Sequence, residues 1–117
     1  SGLDVSEGFS AVVEYEEGGS ASSHGVVFEI KMQAQGDGDT VDSAWGSAVT
    51  KADTSTAGTR RFTDVFSTIT PGGTWAAGDT IIVNLSRLVS DAGDTMDVDA
   101  NVISVTLYGT LDNSTEA

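Results

Sequence analysis

Twice in its first third, this chain places an apolar side chain at every second position, the period that gathers them on one face of a β-strand. Phe9, Ala11, Val13 and Tyr15 form one row, with Val12, Glu14 and Glu16 opposite. Val26, Phe28, Ile30, Met32 and Ala34 form the next, with Val27, Glu29, Lys31 and Gln33 opposite. A helix would scatter either row around its circumference, so the pattern selects β-structure. The link Glu17 to His24 is rich in Gly and Ser and has no helical pattern, which predicts that the two strands pair as an antiparallel hairpin.

Downstream, Gly36-Asp37-Gly38-Asp39-Thr40 is a turn cluster, and Val41 to Ala52 reads as either a short helix or an irregular strand. Trp45, flanked by Ala44, Gly46 and Ser47, is expected to fill a core pocket with its N–H near the rim. A third long strand, Thr59 to Thr70, carries Phe62, Asp64, Phe66 and Thr68 on one side and Thr63, Val65, Ser67 and Ile69 on the other. Neither side is clean, which predicts cover on both. After Pro71-Gly72-Gly73 and the Gly78-Asp79 turn, Thr80 to Val89 has the apolar face Ile81, Val83 and Leu85. Asp99 to Gly109 alternates Ile103, Val105 and Leu107 against Ser104, Thr106 and Tyr108. Such strands, with one or two shorter ones, indicate an all-β fold, an antiparallel β-sandwich of jelly-roll-like form. The expected organisation is an N-terminal arm (1–8), one sandwich domain (9–110) and a C-terminal tail (111–117).

The 117 residues suit one domain, and 18 acidic against 5 basic residues give a formal charge of −13. That charge repels phosphate backbones and anionic leaflets, so neither nucleic acid nor membrane is an expected partner. Without cysteine there is no disulfide, thiolate metal site or thiol nucleophile. The start Ser1-Gly2-Leu3-Asp4 has no signal-peptide pattern, and the missing initiator Met suggests processing or a fragment.

Catalytic patterns are lacking. His24 is the sole histidine, no serine lies in a Gly-x-Ser-x-Gly elbow, and no Gly-x-x-x-x-Gly-Lys phosphate loop occurs. The acids fall mostly in turns, where a short carboxylate bonds its own backbone, so no enzyme is expected. The one cofactor considered is calcium, at Asp37, Asp39, Thr40 and Asp42 or at Asp91, Asp94, Asp97 and Asp99, although both groups read equally well as Asx-turns. Arg87 continues the apolar face of Ile81, Val83 and Leu85, which would turn a cation toward the core edge. Asp94, in the following loop, is its expected partner in a bidentate ion pair. Asn84-Leu85-Ser86 and Asn113-Ser114-Thr115 match the N-glycosylation pattern.

The stretch Gly72-Gly73-Thr74-Trp75-Ala76-Ala77-Gly78-Asp79-Thr80-Ile81-Ile82-Val83-Asn84-Leu85-Ser86-Arg87, then Ser90-Asp91-Ala92-Gly93-Asp94-Thr95 and Val102-Ile103-Ser104-Val105-Thr106-Leu107-Tyr108, resembles structural proteins of tailed bacteriophages. His24-Gly25-Val26-Val27-Phe28-Glu29 and Trp45-Gly46 are similar to the earlier strands of that type, so the resemblance runs from Phe9 to Tyr108. It implies a β-sandwich module of a head fibre, capsid decoration protein or tail fibre, located on the virion surface and often trimeric. Members of this type carry further strands before the position of Phe9, where this chain has only eight residues. Uncovered sheet edges and that shortfall favour a homo-oligomer.

The expected function is mechanical: docking on a major capsid or fibre protein, through a second apolar face including Val12, Val27, Ile82, Leu88 and Tyr108, for which cover by another part of the same chain is the equal alternative. The alternative is a receptor- or carbohydrate-binding fibre tip, with Trp75 or Trp45 stacking on a sugar of a host surface glycan. Trp75, in a turn, is the more exposed candidate of the two. A third reading is an extracellular adhesive module secured by calcium.

Overall fold

The computed structural model describes residues 7–19, 23–40, 44–76 and 78–110. These hold seven strands: β1 (Phe9–Glu17), β2 (Gly25–Gln35), β3 (Val49–Thr54), β4 (Arg60–Phe62), β5 (Phe66–Ile69), β6 (Thr80–Arg87) and β7 (Ala100–Gly109). They form two antiparallel sheets packed as a β-sandwich. In one sheet β1 is central, with β4 and β5 sharing one of its edges and β7 running along the other. The second sheet has the order β3-β2-β6. The region that reads ambiguously in sequence, Val41 to Ala52, contributes the start of β3 and no helix among its described residues.

The hairpin expected from β1 and β2 does not form, because the two strands lie in different sheets and face each other. Tyr15 of β1 meets Phe28 of β2 edge-on, with ring centroids 5.3 Å apart. The apolar rows explain the choice. Side by side, both rows would lie on one face of a single sheet and need a second layer to cover them; face to face, each covers the other. Phe9, Ala11, Val13 and Tyr15 are all buried, as are Val26, Phe28, Ile30, Met32 and Ala34.

Two bulges correct the predicted alternation elsewhere. Phe9 pairs with Ile69 and Ala11 with Phe66, so two steps on β1 meet three on β5. The extra residue lets Phe66 and Ile69 both turn inward, although their spacing is not that of a regular strand. The predicted Thr59–Thr70 strand is further split at Thr63, whose amide donates to the Val13 carbonyl while its hydroxyl accepts from the Val13 amide. A side chain thus replaces a ladder carbonyl. Phe62 is 61% exposed and Val65 is also exposed, rather than covered on both sides. In β7, Ser104 pairs with Glu14 but Val102 with Tyr15, leaving Ile103 as the extra residue. Val102, Val105 and Leu107 therefore share the inward direction, and Ile103 leaves the expected row.

β3 pairs with β2 only from Gly25 to Ile30, and beyond it two loops take its place. The amides of Gly46 and Gly72 both donate to the Met32 carbonyl, at 2.9 and 3.0 Å, and Ala34 donates to the Gly72 carbonyl. A Cβ at Gly72 would collide with the Ala44 carbonyl and the Gly46 amide, and one at Gly46 with the Thr70 carbonyl. Neither loop backbone can retreat without releasing Met32. Gly72→Ala should cost about 2 kcal/mol, in the range of overpacking. A urea melt of G72A with its midpoint unchanged would contradict the close approach.

Candidate binding surface

The strongest polar constellation lies where β6 ends short of the start of β2. β6 pairs with β2 only from Phe28 onward, so Gly25 to Val27 need other partners on that side. The loop after β6 supplies them. Thr95 and Met96 donate their amides to the Gly25 carbonyl, the Thr95 hydroxyl accepts from the Gly25 amide, and Leu88 donates to the Val27 carbonyl. The Val27 amide donates to the Asp94 carboxylate at 3.1 Å. Asp94 is held in turn by Arg87, whose Nε and Nη2 donate to its two oxygens at 2.9 and 2.7 Å. Arg87 also donates to the carbonyls of Met96 and Val98, so one guanidinium fastens the whole loop. The Asp94 side chain is 0% exposed and that of Arg87 20% exposed. The Arg87 hydrogen bonds, helped by the Val27 amide and opposed by burial, hold the Asp94 carboxyl below its ordinary value.

Two further clusters join the sheets and were not visible in the sequence. The Tyr15 hydroxyl donates to Asp53 of β3 at 2.5 Å, with Arg61 of β4 3.7 Å from the same carboxylate oxygen. Burial, then the hydrogen bond to Asp53 and its charge, raise the Tyr15 pKa well above that of an ordinary phenol. Near the end of β1, Glu17 sits between the His24 ring, at 2.9 Å, and the Ser55 hydroxyl, which donates to it. Ser55 also accepts from the His24 amide. A nucleophilic triad needs imidazole between carboxylate and hydroxyl, whereas here the carboxylate holds the hydroxyl proton. Only the inward registry of Asp53 and the long-range return of Ser55 create these contacts, and neither leaves a local sequence signal.

The predicted aromatic sites are not brought together. Trp45 does not fill the core: it is 39% exposed, with the Lys31 ammonium 5.4 Å from its ring centroid. Lys31 alternates with buried Met32, so the ring lies over the outer face of the second sheet, its backbone pinned by Gly46 and Gly72. Trp75 is the better packed of the two, tilted against Phe9 at 5.2 Å and partly buried against the core. Tyr108 is 54% exposed and pairs with Ser10, on the outer face of the first sheet. The five-residue docking face also divides. Val12 and Tyr108 belong to the first sheet and Ile82 to the second, while Val27 is buried beneath the loop that carries Gly93.

The acids mostly close turns. Asp39 accepts from the Gly36 amide, Asp79 from Ala76 and Asp91 from Gly93, while Asp37 is exposed. Asp97 is exposed beside His24, and the Asp99 carbonyl accepts from Gly18. Among the described residues no three His, Asp or Glu side chains gather as a metal site, and no pocket opens. Asn84 is partly buried in β6 and accepts from the Ser86 hydroxyl. Asp42, Asn113, the first six residues of the arm and the 111–117 tail lie outside the described residues.

The molecule is an all-β sandwich of two antiparallel sheets. No protein-family model matches the chain, and neither does any curated protein or solved structure.

Asp94→Asn should lower stability by about 3 kcal/mol, because it leaves the Arg87 cation without its counter-charge. A carboxylate with a depressed folded pKa stabilises fully above its unfolded value of about 3.9, and that contribution is lost as pH falls through the folded value. Thermal melts should therefore separate parent and D94N at pH 7 and bring them together in strong acid; a constant gap would contradict this. Tyr15→Phe should cost about 1 kcal/mol at neutral pH. The raised phenol pKa stabilises below the unfolded value of about 10 and is lost as pH rises toward the folded one, so the parent should lose stability in alkali more steeply than Y15F.

Proposed function

We propose that the chain is a non-enzymatic structural protein of a bacteriophage particle, decorating or stabilising the capsid or forming part of a fibre, and acting as a homo-oligomer. The observation that carries this reading is exposed apolar surface on the first sheet, with no pocket among the described residues. Val102 and Leu107 are exposed on the inward side of the edge strand β7 and Tyr108 on its outer side, with Ile103 exposed at the bulge between them and Phe62 exposed at the far edge of the same sheet. A surface of this kind suits broad docking on another protein rather than capture of a small molecule. The setting, a phage particle, is what the resemblance of the Gly72–Arg87 and Ser90–Thr95 stretches implies. Docking of this kind stabilises an assembly because the bound form is favoured by mass action.

A fibre-tip reading rests on Trp45, whose exposed ring could stack on a host glycan while Lys31 holds its position. The two readings diverge in experiment. Antibody against the chain should label intact virions over the head or along a fibre, and particles lacking the protein should break at lower temperature. Unlabelled virions would end the particle reading. Normal particle stability, together with glycan binding that Trp45→Ala removes, would transfer the function to the fibre tip.

A further inference from the structure

We infer that β7 is the contact edge for a second copy of this chain, the two β7 strands pairing antiparallel about a two-fold axis so that each sheet continues into its partner's. The inference takes up the self-association in the reading above and names its surface.

The placement of charge carries the argument. β7 is ten residues long, Ala100–Gly109, and contains no Asp, Glu, Lys or Arg, in a chain with 18 acidic residues. Among the described residues it pairs only with β1, which leaves its other edge open. Of the other outer strands, β5 has only four residues, and β6, uncharged from Thr80 to Ser86, ends on the charge of Arg87. β3 carries Lys51 and Asp53, whose registry with Phe28 and Val26 turns them inward, and β4 is only three residues long and carries Arg60 and Arg61. Inward charges and short edges are the ordinary defences against strand addition. β7 has only the bulge at Ile103.

Its side chains point to the same partner. Val102 and Leu107 turn toward the interior yet remain exposed, because the second sheet does not cover this side, and Ile81, Val83 and Leu85 of β6 are only partly buried. Ile103 is 44% exposed. Two chains of charge −13 repel over most of their surfaces and approach with least penalty along an uncharged strand. A two-fold places this strand against itself, matching apolar to apolar without an opposite charge. A basic partner would gain nothing from β7 itself.

The test is mass by light scattering on the full chain at about 100 µM, with salt raised from about 50 to about 500 mM. The expected result is twice the chain mass, with at least a tenfold lower dissociation constant at high salt as the repulsion is screened. Ile103→Lys and Thr106→Lys should each return the mass to one chain without altering the circular dichroism. Phe62→Lys, on the far edge of the same sheet, should leave the dimer intact. A single-chain mass at every salt, a trimer, or a dimer indifferent to both β7 variants would overturn the inference. Its failure is separable from that of the particle reading: a β7 dimer absent from virions sinks only the latter, and a virion protein that does not pair through β7 sinks only this one.

Discussion

β2 is the central strand of its sheet, buried along its whole inner face and at Val27 and Gln33 on its outer one, and its backbone must find hydrogen-bond partners on both edges. Neither neighbouring strand is long enough to provide them. β3 stops at the level of Ile30 and β6 begins at Phe28, so each leaves one end of β2 open, at opposite ends and on opposite edges. The rest of the architecture answers that deficit. The Gly46 and Gly72 loops fill one vacancy and the Asp94–Met96 loop the other. The Arg87–Asp94 pair is thus part of the sheet's hydrogen bonding, since a carboxylate stands where a carbonyl from β6 would have stood.

That view explains why a buried ion pair is retained. Replacing such a pair by apolar residues is often neutral in energy, but here apolar residues would leave the Val27 amide without an acceptor. Thr63 does for β1 what Asp94 does for β2. Its hydroxyl accepts from the Val13 amide at the point where β4 and β5 part, letting two short strands share one long edge.

Much of the fold was legible in sequence, and what was missed has a common cause. Both apolar rows were read correctly, because alternation is local; the partner of each row was not, because nothing local distinguishes a hairpin from two facing strands. The periodicity of β6 and β7 predicts nearly their observed limits, whereas Ile103 departs from its predicted row because a bulge changes direction without changing composition. Arg87 and Asp94 could be matched because one cation in register with an apolar face requires a near acid. The Tyr15–Asp53–Arg61 and Glu17–His24–Ser55 groups join residues distant in the chain and leave no comparable trace. The two tryptophans exchange roles for a related reason: the small residues around Trp45 suggest a pocket, whereas the glycine beside it serves a close backbone approach.

The pairing of β1 with β7 has a mechanical consequence. Phe9, at the start of β1, lies opposite Gly109, at the end of β7, and the strands then run together to Glu17 and Ala100. Tension applied at those two ends pulls across the ladder instead of along it. The hydrogen bonds load one rung at a time, beginning at Phe9, rather than sharing the force as they would in shear. Held by these ends the sandwich would open like a zip, whereas held through loops on opposite ends of its strands it would resist as a block.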